Sequence, residues 1–210
     1  MTILAFITEN WLGVTGFVSG VICVWLLIRE NVLTFPLGLL YSLVTVVVMV
    51  DAKLYADVLL NVYFVLMNAY GWFFWLRGGA ERRQSGQLAG DDQLLIATLK
   101  PNSWLPLLAV IALGTALLGA YFDNYTDADL AYPDSFTTVL SFVAMWLQAR
   151  KYLETWWLWL VVNVLSVVLY AIKAQQSADL YFYMALYCIY TGMAIAGWRT
   201  WRAKHAEVAA

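Results

Sequence analysis

Residues 54–75, LYADVLLNVYFVLMNAYGWFFW, and residues 180–201, LYFYMALYCIYTGMAIAGWRTW, decide the fold of this chain. At a constant offset of 126 they share Leu54-Tyr55 with Leu180-Tyr181, Met67 with Met193, Gly71-Trp72 with Gly197-Trp198, and Trp75 with Trp201. Aromatic and Gly residues are common in membrane helices, so a single Gly-Trp match would carry little weight. The shared spacing argues for duplication. A matched pair of apolar segments is the mark of a membrane protein assembled from internal repeats, an architecture found in many transporters.

Working outward, the whole chain has the same character. It is 63% hydrophobic and 12% charged, against roughly 25% charged in a soluble domain. Seven apolar runs approach the roughly 17–25 residues a membrane helix needs: about 11–28, 33–50, 55–76, 104–122, 135–149, 155–172 and 179–198. The fifth is diluted by Ser135, Thr137, Thr138, Ser141 and Gln148. The stretch 77–103, rich in Gly, Gln, Asp and Arg, reads as a flexible linker. The chain is thus expected to be an all-α polytopic membrane protein with seven transmembrane helices.

Charge sets the orientation. With alternating spans, ten of the twelve Lys and Arg residues lie on one side, near Arg29, in 77–100, at Arg150-Lys151 and in the tail; only Lys53 and Lys173 lie on the other. The 123–134 connection carries Asp123, Asp127, Asp129 and Asp134 and no base. Basic loops stay in the cytoplasm, which predicts an N-terminus outside and a C-terminus inside, in the inner (cytoplasmic) membrane of a bacterial cell. Helices 1–3 and 5–7 are then the two copies and helix 4 an unpaired linker, a 3+1+3 plan. An odd linker starts both copies from the same side, so the repeats are parallel, as in the sugar-transporting SWEET proteins. The expected divisions are 1–76 for the first three-helix repeat, 77–134 for a cytoplasmic loop, linker helix 4 and an acidic external loop, and 135–210 for the second repeat and a cytoplasmic tail.

Several chemistries are excluded. His205 is the only histidine and lies in the tail, so a His-ligated zinc or haem site has no ligands. Cys23 and Cys188 form no C-x-x-C pair. No nucleophile–base constellation, metal cluster or phosphate-binding loop is present, so no enzymatic activity, cofactor or ATP-driven pumping is expected. The basic residues are explained by topology, with none left over for nucleic acid. No Lys or Arg lies deep in a span, which leaves a carrier or channel for something neutral or cationic.

The polar residues inside the spans align. Trp156, Trp159, Asn163, Ser166 and Tyr170 fall within an arc of about 80° at 100° per residue. On the third helix Asp57, Asn61, Phe64, Asn68 and Gly71 form another stripe, matched 126 residues later by Tyr183, Tyr187, Tyr190, Ala194 and Gly197. Polar side chains are costly against lipid, so these faces should point into the bundle. The bland alternative is that the Asn residues are interhelical glue and the Trp residues interfacial anchors. It suits Trp72, Trp75, Trp198 and Trp201 near the helix ends better than Asn61, Asn68 and Asn163 further in.

Glu154-Thr155-Trp156 with Trp159, Asn163, Ser166 and Tyr170 resembles the Trp-x-x-Trp-x-x-x-Asn signature of the PnuC family of vitamin transporters. Leu54-Tyr55-Ala56-Asp57 followed by Tyr70-Gly71-Trp72 and Trp75 is similar to that family's third helix, and Asn31, Phe35-Pro36 and Gly38 resemble its entry to helix 2. Phe35 stands where Trp is common, Asn61 where Gln is expected and Met145 where Gln is frequent. The resemblance covers nearly the whole chain. It implies uptake of nicotinamide riboside, with thiamine or deoxynucleosides carried by other members, and a homo-oligomer, a trimer. The mechanism to expect is facilitated uniport by rocking of the two halves, with trapping by cytoplasmic phosphorylation. A channel or ligand-sensing receptor is the alternative of another class. The predicted pocket is lined by Trp156, Trp159, Asn163 and Ser166 from helix 6, Asn61, Phe64 and Asn68 from helix 3, and Tyr183, Tyr187 and Tyr190 from helix 7.

Overall fold

The computed structural model describes residues 11–51, 55–84, 94–126, 130–173 and 180–209. Among them are seven helices and no strand: α1 (Trp11–Ile28), α2 (Thr34–Asp51), α3 (Tyr55–Gln84), α4 (Pro101–Tyr125), α5 (Ala131–Ala149), α6 (Thr155–Lys173) and α7 (Leu180–Ala209). The seven coincide with the seven apolar runs. Val58–Gly78, Pro101–Tyr125 and Thr155–Ile172 are long and apolar enough to cross a membrane, and Thr15–Ile28 and Thr34–Val47 are shorter apolar helices. The chain is an all-α membrane protein of the 3+1+3 plan.

It divides into two compact units, Met1–Leu94 and Leu95–Ala210. In the first, α1 packs on α2 and α2 on α3; in the second, α4 packs on α5, α5 on α6 and α6 on α7. The units repeat one another bond by bond. Between α1 and α2 the Glu30 N–H donates to the Leu27 carbonyl (2.9 Å) and the Asn31 N–H to that of Leu26 (2.9 Å). Between α5 and α6 the Lys151 N–H donates to the Gln148 carbonyl (3.0 Å) and the Tyr152 N–H to that of Leu147 (3.0 Å). Glu30 (φ 56°) and Lys151 (φ 60°) both adopt the left-handed conformation that closes the turn. The Thr34 hydroxyl donates to the Cys23 carbonyl and the Thr155 hydroxyl to the Ala144 carbonyl, both at 2.8 Å. Arg29 lies over the Trp25 ring (4.2 Å) and Arg150 over Trp146 (5.5 Å). Every one of these pairs is offset by 121 residues. The offset becomes 126 at the third helix because the second copy has five more residues between matching landmarks, Trp156 to Gly197 against Phe35 to Gly71.

The same logic packs the third helix. Gly71 of α3 lets the Phe35 ring lie against the backbone, and Phe35 meets Trp75 edge-on (4.9 Å, 86°). Gly197 of α7 does so for the Trp156 ring, and Trp156 meets Trp201 edge-on (5.3 Å, 89°). Any side chain at either glycine would occupy the space of a ring. Trp75 and Trp201, expected as interfacial anchors, are therefore core residues: Trp201 is fully buried and Trp75 nearly so. Trp72 keeps an exposed position and Trp198 a half-buried one beneath Arg202 (5.0 Å).

The reading of 77–103 as a flexible linker is corrected at its C-terminal end. The Ala97 N–H donates to the Lys151 carbonyl (3.0 Å) and the Leu153 N–H to the Ala97 carbonyl (2.8 Å). The Leu99 N–H donates to Glu154 Oε1 (3.0 Å), and His205 Nδ1 lies 3.1 Å from the Ile96 carbonyl. A carbonyl can only accept, so Nδ1 carries the proton. Ile96 is buried, and Leu99 packs on the core of Ile111, Leu140, Leu147 and Leu158. Apolar side chains within the polar connection thus strap it to the α5–α6 turn and to α7.

Candidate functional site

The stripe on α6 is its buried face. Trp156, Asn163 and Ser166 are buried and Trp159 and Tyr170 half-buried, while Trp157, Val161, Val164 and Val168 face outward. Opposite lies α7, and two aromatic contacts close the pair. At one end Trp156 seats on Gly197 and Trp201. Fourteen residues along α6, Tyr170 stacks on Tyr187 (5.4 Å, 20°), which meets Tyr190 edge-on (6.2 Å, 82°). Asn163 is seven residues from either contact, about 10 Å at 1.5 Å per residue. It shares its face with Trp159 and Ser166. The second unit therefore holds a polar midsection between aromatic ends.

The α5 side adds a residue the sequence reading passed over. The Trp159 indole N–H donates to Gln148 Oε1 at 2.9 Å, and Gln148 is buried. In the sequence Gln148 looked like dilution of a weak span. The signal that could have found it is a buried-helix amide one turn from the end of a helix that precedes a Trp-rich one. Trp156 behaves differently. It is almost fully buried against other rings, and its indole N–H has no hydrogen-bond partner among the described residues. Both signature tryptophans pack, Trp156 on rings and Trp159 on the core of Ile111, Leu147 and Leu158, but only Trp159 also has its N–H bonded.

In the first unit, Asn61 and Asn68 are buried and Phe64 half-buried on one face of α3. Asn68 fills the notch left by Gly38 of α2, and its Nδ2 donates to the Phe64 carbonyl (2.8 Å). Its amide is largely committed within its own unit. The structure places Trp156, Trp159, Asn163 and Ser166 on the inward side of α6, with Trp156 against α7 and Trp159 against α5; Tyr187 and Tyr190 lie on the neighbouring α7, and Asn61, Phe64 and Asn68 on α3 of the other unit. Tyr183 lies on α7, but its side chain, like that of Asp57, is outside the described residues.

Duplicated apolar helices whose polar and aromatic faces turn inward define a polytopic membrane transporter. A family model described as "Nicotinamide mononucleotide transporter" matches residues 10–203. The nicotinamide riboside transporter PnuC of Escherichia coli (strain K12) is 31% identical, over 91% of this chain and 85% of that protein. Its namesake from Neisseria mucosa is 26% identical, over 95% and 74%. The riboflavin/roseoflavin transporter RibM of Streptomyces davaonensis is 26% identical, over 91% and 84%. The crystal structure of the vitamin B3 transporter PnuC superposes with a TM-score of 0.75 at 22% identity, covering 98% of this chain and 86% of that one. The chain belongs to this family, the PnuC family of membrane transporters, and is not an enzyme.

Proposed function

We propose that this protein takes up nicotinamide riboside across the inner membrane of a bacterial cell by facilitated uniport. The α6–α7 face carries the proposal. A pyridinium riboside is a flat cation bearing a carboxamide and hydroxyls. Aromatic faces such as those of Trp159, Tyr187 and Tyr190 attract such a cation by about 0.5–2 kcal/mol each. The Asn163 amide can both donate to and accept from its polar edge. No Lys or Arg occurs between Trp156 and Tyr170 on α6 or between Tyr187 and Gly197 on α7. A phosphate dianion would be buried there unpaired, at prohibitive cost. That favours the riboside over the mononucleotide, and cytoplasmic phosphorylation would then trap the cargo.

Transport proceeds by alternating access, without ATP or an ion gradient. The N-terminus lies outside and the C-terminus in the cytoplasm, a reading supported by the ten-to-two distribution of Lys and Arg. It is further supported by Arg–aromatic pairs on α1, α3, α5 and α7, the four helices that would end on the cytoplasmic side. Family resemblance supports a homotrimer. Leu105, Leu113 and Leu117 on the exposed flank of α4 offer apolar surface for a neighbouring copy or lipid.

Uptake of labelled nicotinamide riboside into liposomes holding the purified protein is the test. Saturable equilibration without accumulation supports the reading. Accumulation against a gradient in the absence of a trapping enzyme would sink uniport. The likeness to RibM favours one second reading, a larger flat vitamin as cargo. Competition by riboflavin or thiamine, with none by the riboside, would move the protein there.

A further inference from the structure

We propose that Gln148 is a positioning residue for the cargo, holding the Trp159 ring at the orientation in which it stacks on a flat ligand. The proposal rests on the α6–α7 reading above and adds a residue to it. The indole N–H can only donate, so the Gln148 amide must present its oxygen to it, and the 2.9 Å bond fixes both side chains. Stacking depends on the angle between rings. A tryptophan free to rotate about its side-chain torsions would present its face only part of the time. Packing on Ile111, Leu147 and Leu158 confines the ring, the bond to Gln148 selects its orientation within that space, and with its oxygen occupied Gln148 retains its N–H pair as donors.

The duplication shows that this bond is not something the fold requires. The counterparts of Gln148 and Trp159, 121 residues earlier, are Leu27 and Gly38. Around them the first unit makes the same turn, with the same backbone bonds and the same threonine hydroxyl to the same carbonyl position. Leu27 is simply buried apolar packing. The Trp159 site also has no bulky equivalent in the first unit, where Gly38 leaves a notch that Asn68 fills. A polar pair buried at the end of an apolar span costs more free energy than apolar packing, and such residues commonly serve function. One half of the protein dispenses with it, and the half bearing Asn163, Ser166 and the tyrosines retains it. The contrast with Trp156, packed hard against rings and without a partner for its N–H, points the same way.

The test uses full-length protein in lipid nanodiscs, with three variants and calorimetric titration of nicotinamide riboside. Gln148→Met keeps bulk and removes the acceptor. Gln148→Glu keeps the acceptor. Asn163→Leu reports on the face itself. We expect Gln148→Met to weaken binding about tenfold, the scale of one buried hydrogen bond, and to alter the near-ultraviolet circular dichroism of Trp159. Gln148→Glu should restore both to within about threefold of the parent. Gln148→Met binding as tightly as the parent overturns the proposal. So does an equal loss in the Met and Glu variants with a lowered melting temperature, since that is a structural role. If Asn163→Leu also binds normally, the site reading fails with it. A parent protein that binds thiamine or riboflavin in place of the riboside would refute the cargo, and the same three variants on that ligand then decide Gln148.

Discussion

A methyl group at residue 197 would land on the six-membered ring of Trp156, and that ring, buried and in edge-on contact with Trp201 one turn further along α7, has little room to shift. Gly197→Ala is therefore expected to destabilise the protein by about 1–3 kcal/mol, the usual range for overpacking. Gly192, on the same helix, has nothing within 4 Å of the position a Cβ would take. Gly192→Ala should raise stability by up to about 1 kcal/mol through helix propensity. Melting temperatures of the two variants in one detergent check both signs. Gly71→Ala should behave like Gly197→Ala, because Phe35 and Trp75 repeat the arrangement. Spacing alone made the buried face of α6 legible, Asn163 and Ser166 included, since a polar stripe on an apolar helix has few places to go. It misled at Trp75 and Trp201. Proximity to a helix end suggested an interfacial anchor, but a glycine one turn earlier opened a slot that draws the aromatic residues inward.

At the scale of elements, α3 and α7 each run 30 residues, about 45 Å at 1.5 Å per residue, well beyond a hydrocarbon core of roughly 30 Å. Hydropathy stopped the two spans at 76 and 198. The helices continue because Glu, Arg, Gln, Ala and Lys, which outnumber Gly78 and Gly79 in the following turns, are strong helix formers whatever their polarity. The span count reads the first two helices as copies, but their residue-by-residue match was missed because Trp25-Leu26, Arg29 and Thr34 recur as Trp146-Leu147, Arg150 and Thr155 at an offset of 121, not 126. At the turn itself the copies share backbone geometry, and Glu30 and Lys151 have nearly the same φ with opposite charges. The strap at 96–99 yields a prediction of its own. Glu154→Ala removes the acceptor for the Leu99 N–H and should speed hydrogen exchange at that amide about tenfold, the scale of one hydrogen bond to a charged group. Glu154→Gln, which keeps the oxygen, should not. Exchange measured by mass spectrometry on a peptide covering 94–103 separates the two. Unchanged protection in Glu154→Ala would mean that the Ala97 bridge and His205 hold the segment unaided.

Across the whole molecule, cysteines introduced near residue 5 and near residue 208 should react with impermeant reagents from opposite sides of the membrane. Labelling of both from one side would contradict the seven-helix plan. The boundary between the two compact units falls at Leu94–Leu95, just after the Gly-, Gln- and Asp-rich stretch 86–92. A protease site inserted after Gly86 should be cut without loss of riboside binding, whereas cutting after Ile96 would split the strap itself, parting Ile96 from Ala97 and Leu99, and lower the melting temperature. Gel mobility and binding of the nicked proteins check this directly.

The two copies of the turn between first and second helices also have a consequence for descent. Features that both halves kept after duplication, such as the threonine hydroxyls at 34 and 155 and the ring-on-glycine contacts at 71 and 197, answer to architecture and should resist drift in every lineage. Features that only one half possesses and that lie outside the family's Trp-x-x-Trp-x-x-x-Asn signature, Gln148 and Tyr187 among them, are free of that constraint. When a descendant takes up a different vitamin, its substitutions should concentrate in this second set, while the shared set stays as old as the duplication itself.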